Sequence, residues 1–132
     1  MIKIILICIF LMGFTISAQP SPYTYQAMII DVYDGDTFTA LIDLGFHVTI
    51  QEKIRLYGVD TPELRGSERT KGIEVRDYVR SLILDKPVLL QTIKDKKGKY
   101  GRYLGLVIFE TDTAFVDLSE HLLTMKMAKI YD

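Results

Sequence analysis

Three short runs of this 132-residue chain gather residue types that can do chemistry: Asp34-Gly-Asp36-Thr37, then Arg55-Leu-Tyr-Gly-Val-Asp60-Thr61-Pro-Glu63, then Lys99-Tyr100-Gly-Arg102. Carboxylates offer hard oxygen ligands to a divalent ion, and an ionised glutamate can take a proton from water. Arginine forks fit a phosphate with parallel hydrogen bonds and keep their protons. Water attacking an anionic phosphoryl centre builds further negative charge, and that reaction would use all three kinds of group.

Each run also has a plainer reading. Asp34-Gly35 between apolar-alternating stretches is a type I′ hairpin turn on turn statistics. Asp60-Thr-Pro62-Glu63 reads as a turn with a helix cap, and Tyr100-Gly101 as a loop entering a strand among solvated lysines. The runs carry chemistry only if the fold brings them together. His47 and His121 pair with no cysteine or second histidine at ligand spacing, so their expected roles are structural or on the surface.

The elements that would position the runs are read from periodicity. Ala27 to Val32 and Phe38 to Leu44, with Phe38, Ala40, Ile42 and Leu44 alternating, read as a hairpin. Val48 to Leu56 reads as a third strand with a bend at Gln51-Glu-Lys53, and the polar stretch Tyr57 to Gly72 as a long loop. Val75, Val79, Leu82 and Ile83 recur at helical spacing, which predicts a helix from near Thr70 that stops before Lys86-Pro87. Val88 to Ile93 and Tyr103 to Phe109 are a fourth and a fifth strand, with a basic loop, Lys94 to Arg102, between them. Asp117 is the expected N-cap of a second helix with Leu118, Leu122 and Met125 on one face. The fold class is α+β: a five-stranded OB-type β-barrel with two helices.

The N-terminus reads differently from the rest. Met1-Ile-Lys3, the apolar run Ile4 to Ile16 and Ser17-Ala18 describe a secretory signal peptide. As a helix the apolar run reaches about 20 Å, short of the roughly 30 Å of a bilayer core. The expected organisation is a signal peptide over 1–18, a lead-in over 19–26 and one domain over 27–132, exported and secreted or periplasmic, and free of the membrane once the leader is cut. Removing 18 of the 132 residues takes away the single cysteine, Cys8, and leaves 114. A chain without cysteine has no disulfide, thiolate zinc site or cysteine nucleophile. Losing Lys3 leaves 15 Lys+Arg against 17 Asp+Glu. A net of −2 argues against a protein that coats nucleic acid without specificity, which would be strongly basic.

Taken together, the three runs closely resemble the staphylococcal nuclease (thermonuclease) family, whose marks are Asp-Gly-Asp-Thr, Arg-Leu-x-Gly-hydrophobic-Asp-Thr-Pro-Glu and Lys-Tyr-Gly-Arg in that order. The resemblance covers about residues 25–131. It implies that Asp36 and Asp60 are side-chain ligands of Ca2+ and that Thr61 is its backbone-carbonyl ligand, with Asp34 supporting. It implies that Glu63 is the general base, that Arg55 and Arg102 grip the scissile phosphate, and that Lys99 and Tyr100 contact the neighbouring phosphate. DNA and RNA would be the substrates, cut by a monomer with little sequence preference. Two carboxylates and a carbonyl imply weak calcium binding, on the order of 10⁻⁴–10⁻³ M. An EF-hand is not present, because its ligand spacing is missing.

The sequence also departs from that pattern. The given residues end at Tyr131-Asp132, whereas the resembling nuclease continues through tyrosines that hold the nucleotide base, so weaker substrate binding is expected and Tyr131 is the one candidate substitute. Lys126 stands where many relatives have a helix-ending glycine. The competing function is a nucleic-acid-binding barrel without catalysis; a weaker one is a signal-anchored surface protein with a structural calcium site. The retention of Asp36, Arg55, Asp60, Glu63 and Arg102 favours the enzyme.

Overall fold

The computed structural model describes residues 22–131, so the signal-peptide reading of 1–18 lies outside them. Five strands form the barrel: β1 (Thr24–Asp34), β2 (Thr37–Asp43), β3 (Thr49–Leu56), β5 (Pro87–Lys97) and β6 (Tyr103–Glu110). A two-residue strand β4 (Val59–Asp60) precedes helix α1 (Arg69–Ile83), and β7 (Phe115–Asp117), helix α2 (Leu118–Thr124) and β8 (Lys129–Ile130) complete the chain. The sheet runs β3-β2-β1-β5-β6-β7 and closes through a parallel pairing of β3 with β6. That closure sets Arg55 beside Leu104, two residues from Arg102. No helix among the described residues is long and apolar enough to cross a membrane.

Alternation decides which side chains face inward, and a bulge changes its phase at the place that matters. Ala27 and Ile29 are buried as a period of two requires, but the next buried residues are Val32 and Asp34. Register shifts against β2 occur between Ile29 and Asp31 and again between Val32 and Asp34. An extra residue in one strand bends it and reverses the facing of the residues beyond. It turns Tyr33 outward and Asp34 inward. The β2 residues Phe38, Ala40 and Ile42 are buried as expected, whereas Leu44, past the strand end, is exposed.

Helix α1 caps one end of the barrel with Gly72, Val75, Val79 and Ile83, while Leu82 is only half-buried. Arg80 donates from Nε and Nη2 to the Val32 carbonyl at 3.1 and 2.9 Å, tying the helix to the bulged strand. Asp117 caps α2 through bonds from the Ser119 and Glu120 amides. Leu118 and Leu122 are buried, but Met125 is the C-cap and exposed, because the helix ends before that position returns to the core. The next residue, Lys126, is left-handed with φ 57°, in the place where a helix-ending glycine would relieve steric cost.

Three local expectations are corrected. The turn of the first hairpin is Gly35-Asp36 rather than Asp34-Gly35, so Asp34 ends β1 and Asp36 lies in the turn. Neither residue has a positive φ, which rules out type I′. An Asx-type bond from the Asp36 amide to Asp34 Oδ1 at 3.1 Å shapes the bend instead. The third strand runs without a break through Gln51-Glu-Lys53. The basic segment is strand as far as Lys97, and only Lys99–Gly101 forms a 3-10 turn, with Tyr100 left-handed at φ 63°.

Candidate active site

The three runs meet at one cavity of about 900 Å³. Asp34 and Asp36 reach it from the first turn, Arg55 from the end of β3, and Asp60 and Glu63 from the segment after β4. Lys99, Tyr100 and Arg102 arrive from the turn between β5 and β6. Thr61 does not line the cavity; it is buried beside it and donates its amide to Asp36 Oδ2 at 2.9 Å.

Arg55 and the two expected metal ligands form one electrostatic unit. Arg55 Nη2 lies 3.4 Å from Asp36 Oδ2 and 3.2 Å from Asp60 Oδ1. Its Nη1 donates to the carbonyls of Leu56 and Val59, each at 2.8 Å. Two carboxylates that converge on one cationic nitrogen face a common point. Among the described residues no three His, Cys, Asp or Glu side chains gather closely enough to hold a metal by themselves. Two carboxylates and a neighbouring backbone oxygen are nonetheless the hard donors that a calcium-like ion takes, so the residues fit such an ion.

Asp34 lies against this unit and has no cationic partner among the described residues. Burial, and then the charge of Asp36, push its carboxyl up to about 7. Asp36 is better supplied, with Oδ1 accepting from Thr37 Oγ1 at 3.1 Å in addition to the Thr61 amide. Thr37 is a junction that residue-type reasoning passed over, although it stands inside the first run. It is register partner to Arg55, and its Oγ1 accepts from Arg102 Nη1 at 2.9 Å. One hydroxyl thus links the acidic side of the cavity to the second arginine.

The arginines differ in what they leave free. Arg55 commits Nη1 to two carbonyls and is nearly buried. Arg102 donates Nε to the Lys99 carbonyl at 3.0 Å and lies over the Tyr100 ring at 5.4 Å, while its Nη2 makes no protein hydrogen bond among the described residues. Glu63 is exposed at the rim, and its amide donates to Glu68 Oε2 at 3.0 Å. Tyr131 lies over Arg55 at 5.6 Å, and its amide donates to the Gly58 carbonyl. It is held there by the pairing of β8 with β4, a long-range relation that no local pattern announces.

Two glycines, also unmarked by residue-type reasoning, set the spacing. A Cβ on Gly35 would come within 2.9 Å of Thr61 Oγ1 and 2.7 Å of Val75 Cγ1. A Cβ on Gly72 would come closer still to the backbone of Glu63. His121 accepts or donates at 2.6 Å with Tyr78 and meets Phe109 edge-on, which makes it structural, and His47 is exposed and left-handed in the β2–β3 turn.

Residues 53–132 match the protein family described as Staphylococcal nuclease homologue. An uncharacterized protein of Methanocaldococcus jannaschii is 27% identical over 81% of this chain and 59% of its own length. The thermonuclease of Staphylococcus hyicus is 31% identical over 80% of this chain and 55% of its own. The chain therefore spans little more than half the length of these relatives.

Proposed function

The chain belongs to the staphylococcal nuclease homologue family, and on that footing we propose that it is a calcium-dependent nuclease hydrolysing DNA and RNA phosphodiesters with little sequence preference. The observation that supports this most is the shared cavity in which Arg55 joins Asp36 to Asp60 while Glu63 and Arg102 stand on the same walls. The leader-like residues 1–18 add the proposal that it works after export, where a weak calcium site is of use.

Asp36, Asp60 and the Thr61 carbonyl would hold the ion, which when bound supplies Lewis-acid stabilisation of phosphoryl oxygens. Glu63, exposed and facing the cavity, takes the proton of the attacking water. Arg102 turns its uncommitted Nη2 to a phosphoryl oxygen, and Thr37 and the Lys99 carbonyl keep the fork aimed. Arg55 adds fixed positive charge at the acidic wall and offers its Nε donor, since Nη1 and Nη2 are engaged by carbonyls and carboxylates. Lys99 and Tyr100 accompany Arg102 on the same turn and contact the next phosphate.

The test is digestion of single-stranded and duplex DNA and of RNA by the chain, with calcium and with a calcium chelator. Cleavage in calcium that stops in chelator is expected. Cleavage indifferent to the chelator overturns the metal assignment, and nucleic-acid binding without cleavage leaves the non-catalytic barrel.

A further inference from the structure

We propose a second nucleic-acid contact at the open mouth of the barrel, separate from the catalytic cavity, which takes an unstacked base and its phosphate from a single strand. The inference rests on the nuclease reading for its substrate class. Its starting point is a cavity of about 230 Å³, large enough for a base, floored by Ile42 and Ile54 and walled by Tyr23, Tyr25 and Tyr103. Barrel mouths are common ligand sites, and an apolar floor with a few polar groups at the rim is their usual composition.

Cation–ring pairs distinguish this mouth from an ordinary barrel end. Among the described residues four occur. Arg55 with Tyr131 and Arg102 with Tyr100 lie in the catalytic cavity. The other two are Lys94 over Tyr23 at 6.0 Å and Lys97 over Tyr103 at 4.5 Å, and both tyrosines line the mouth. An aromatic face beside a lysine is the combination that stacks a base and neutralises its phosphate without reading sequence. Glu52 at the rim supplies an acceptor for a base amine. The acidic Glu52 and Asp95 lower the net charge there, so stacking rather than charge carries the contact.

Backbone geometry points to the same place. Tyr23, just before β1, and Asp95, in the neighbouring β5, are left-handed non-glycine residues, with φ 66° and 56°. Asp95 falls within the irregular stretch of β5 between Thr92 and Lys97. Bulges and strained residues that re-aim side chains concentrate beside binding sites. Continuity with the catalytic cavity is direct, because Arg102 lines one cavity and the adjacent Tyr103 the other. A strand engaged at Arg102 therefore has a second foothold along the basic segment Lys94–Lys97. A duplex keeps its bases stacked and cannot use it.

The test uses the full chain in chelator and a fluorescent 12-nucleotide single strand, read by anisotropy, with the same sequence as duplex for comparison. The double variant Tyr23→Ala/Lys94→Ala removes exposed side chains and should weaken single-strand binding by about tenfold, as loss of a stacking ring does, and leave duplex binding unchanged. In calcium it should raise KM for the long strand and leave cleavage of a dinucleotide unaltered. A second measurement is photocrosslinking of a strand carrying 5-iodouracil, with adducts expected on Tyr23, Tyr25 or Tyr103. Unchanged affinity, or adducts confined to Tyr100 and Tyr131, overturns the proposal. Self-association of the chain abolished by Tyr23→Ala assigns the mouth to a second copy and also overturns it. Absence of cleavage with crosslinks at the mouth intact refutes the nuclease reading instead.

Discussion

Gly72 lies directly beneath Glu63: a Cβ placed on Gly72 would sit 2.2 Å from the Glu63 carbonyl oxygen and 2.7 Å from its carbonyl carbon. Helix α1 thus supports the candidate base through a contact that only a residue without a side chain allows. Replacing glycine by alanine within a helix ordinarily stabilises by about 0.5–1 kcal/mol. Here the segment Pro62-Glu63 has to move. Gly72→Ala should therefore lower both the melting temperature and kcat. The fall in kcat should be tenfold to about 10²-fold, because displacing a reacting group by an ångström costs that much. Steady-state kinetics beside thermal denaturation decide it. A variant that melts higher and turns over normally would show that the segment relaxes freely.

Glu63 itself has little structural work, being exposed and, among the described residues, bonded through its amide alone, to Glu68. Glu63→Gln should lower kcat by about 10²-fold or more, as loss of a general base does, with the melting temperature unchanged. Full activity in the variant would place the base elsewhere.

The separation of roles between the arginines is equally measurable. Arg55 supports two carbonyls and sits between two carboxylates, so Arg55→Ala leaves buried acceptors and Asp36 uncompensated. A stability loss of about 2–3 kcal/mol should accompany its loss of activity. Arg102 makes fewer and more exposed bonds, so Arg102→Ala should cost under about 1 kcal/mol and abolish most cleavage. Urea denaturation of both variants reads the difference. Equal stability losses would contradict the division.

Much of this was legible in the sequence, and the reasons it was not all legible are physical. Val75, Val79 and Ile83 announced α1 by period, and Asp117 announced the cap of α2 by residue type. The phase of β1 was not readable, because a bulge leaves no local signature and Asp34 owes its burial to one. The strand character of Lys94 to Lys97 was hidden behind solvated charges, since the segment has no apolar alternation and rejoins the ladder only at Lys97, opposite Tyr103, after an irregular stretch. At the site the charged residues stood out by type. The contacts that hold them, through Thr37, Tyr131 and the two close-packed glycines, depend on closure of the barrel and on the pairing of β4 with β8.

Calcium should act as a ligand of the folded state alone. With a dissociation constant of about 10⁻³ M, 10 mM calcium adds roughly 1.4 kcal/mol through mass action. Thermal melts with calcium and with chelator should differ accordingly, and Asp36→Asn should remove the difference while magnesium at the same concentration does less. A wild-type melt blind to calcium would separate the carboxylates from any metal role.

Asp34 supplies a test by pH. An aspartate in an unfolded chain releases its proton near 4, whereas burial and the neighbouring Asp36 push Asp34 up to about 7. Between those values the folded chain holds a proton that the unfolded chain has lost. The stabilising advantage of that proton is fully present at low pH and is lost as pH rises through about 7. Asp34→Asn imitates the neutral carboxyl and keeps an oxygen to accept the Asp36 amide. In chelator the variant should be more stable than the parent at pH 8, and the gap should close as pH falls toward 4. Urea denaturation across that range measures it. A gap of constant size would mean that shape rather than charge distinguishes the two side chains, and a gap of opposite sign would mean that Asp34 is stabilised as an anion by a cationic neighbour.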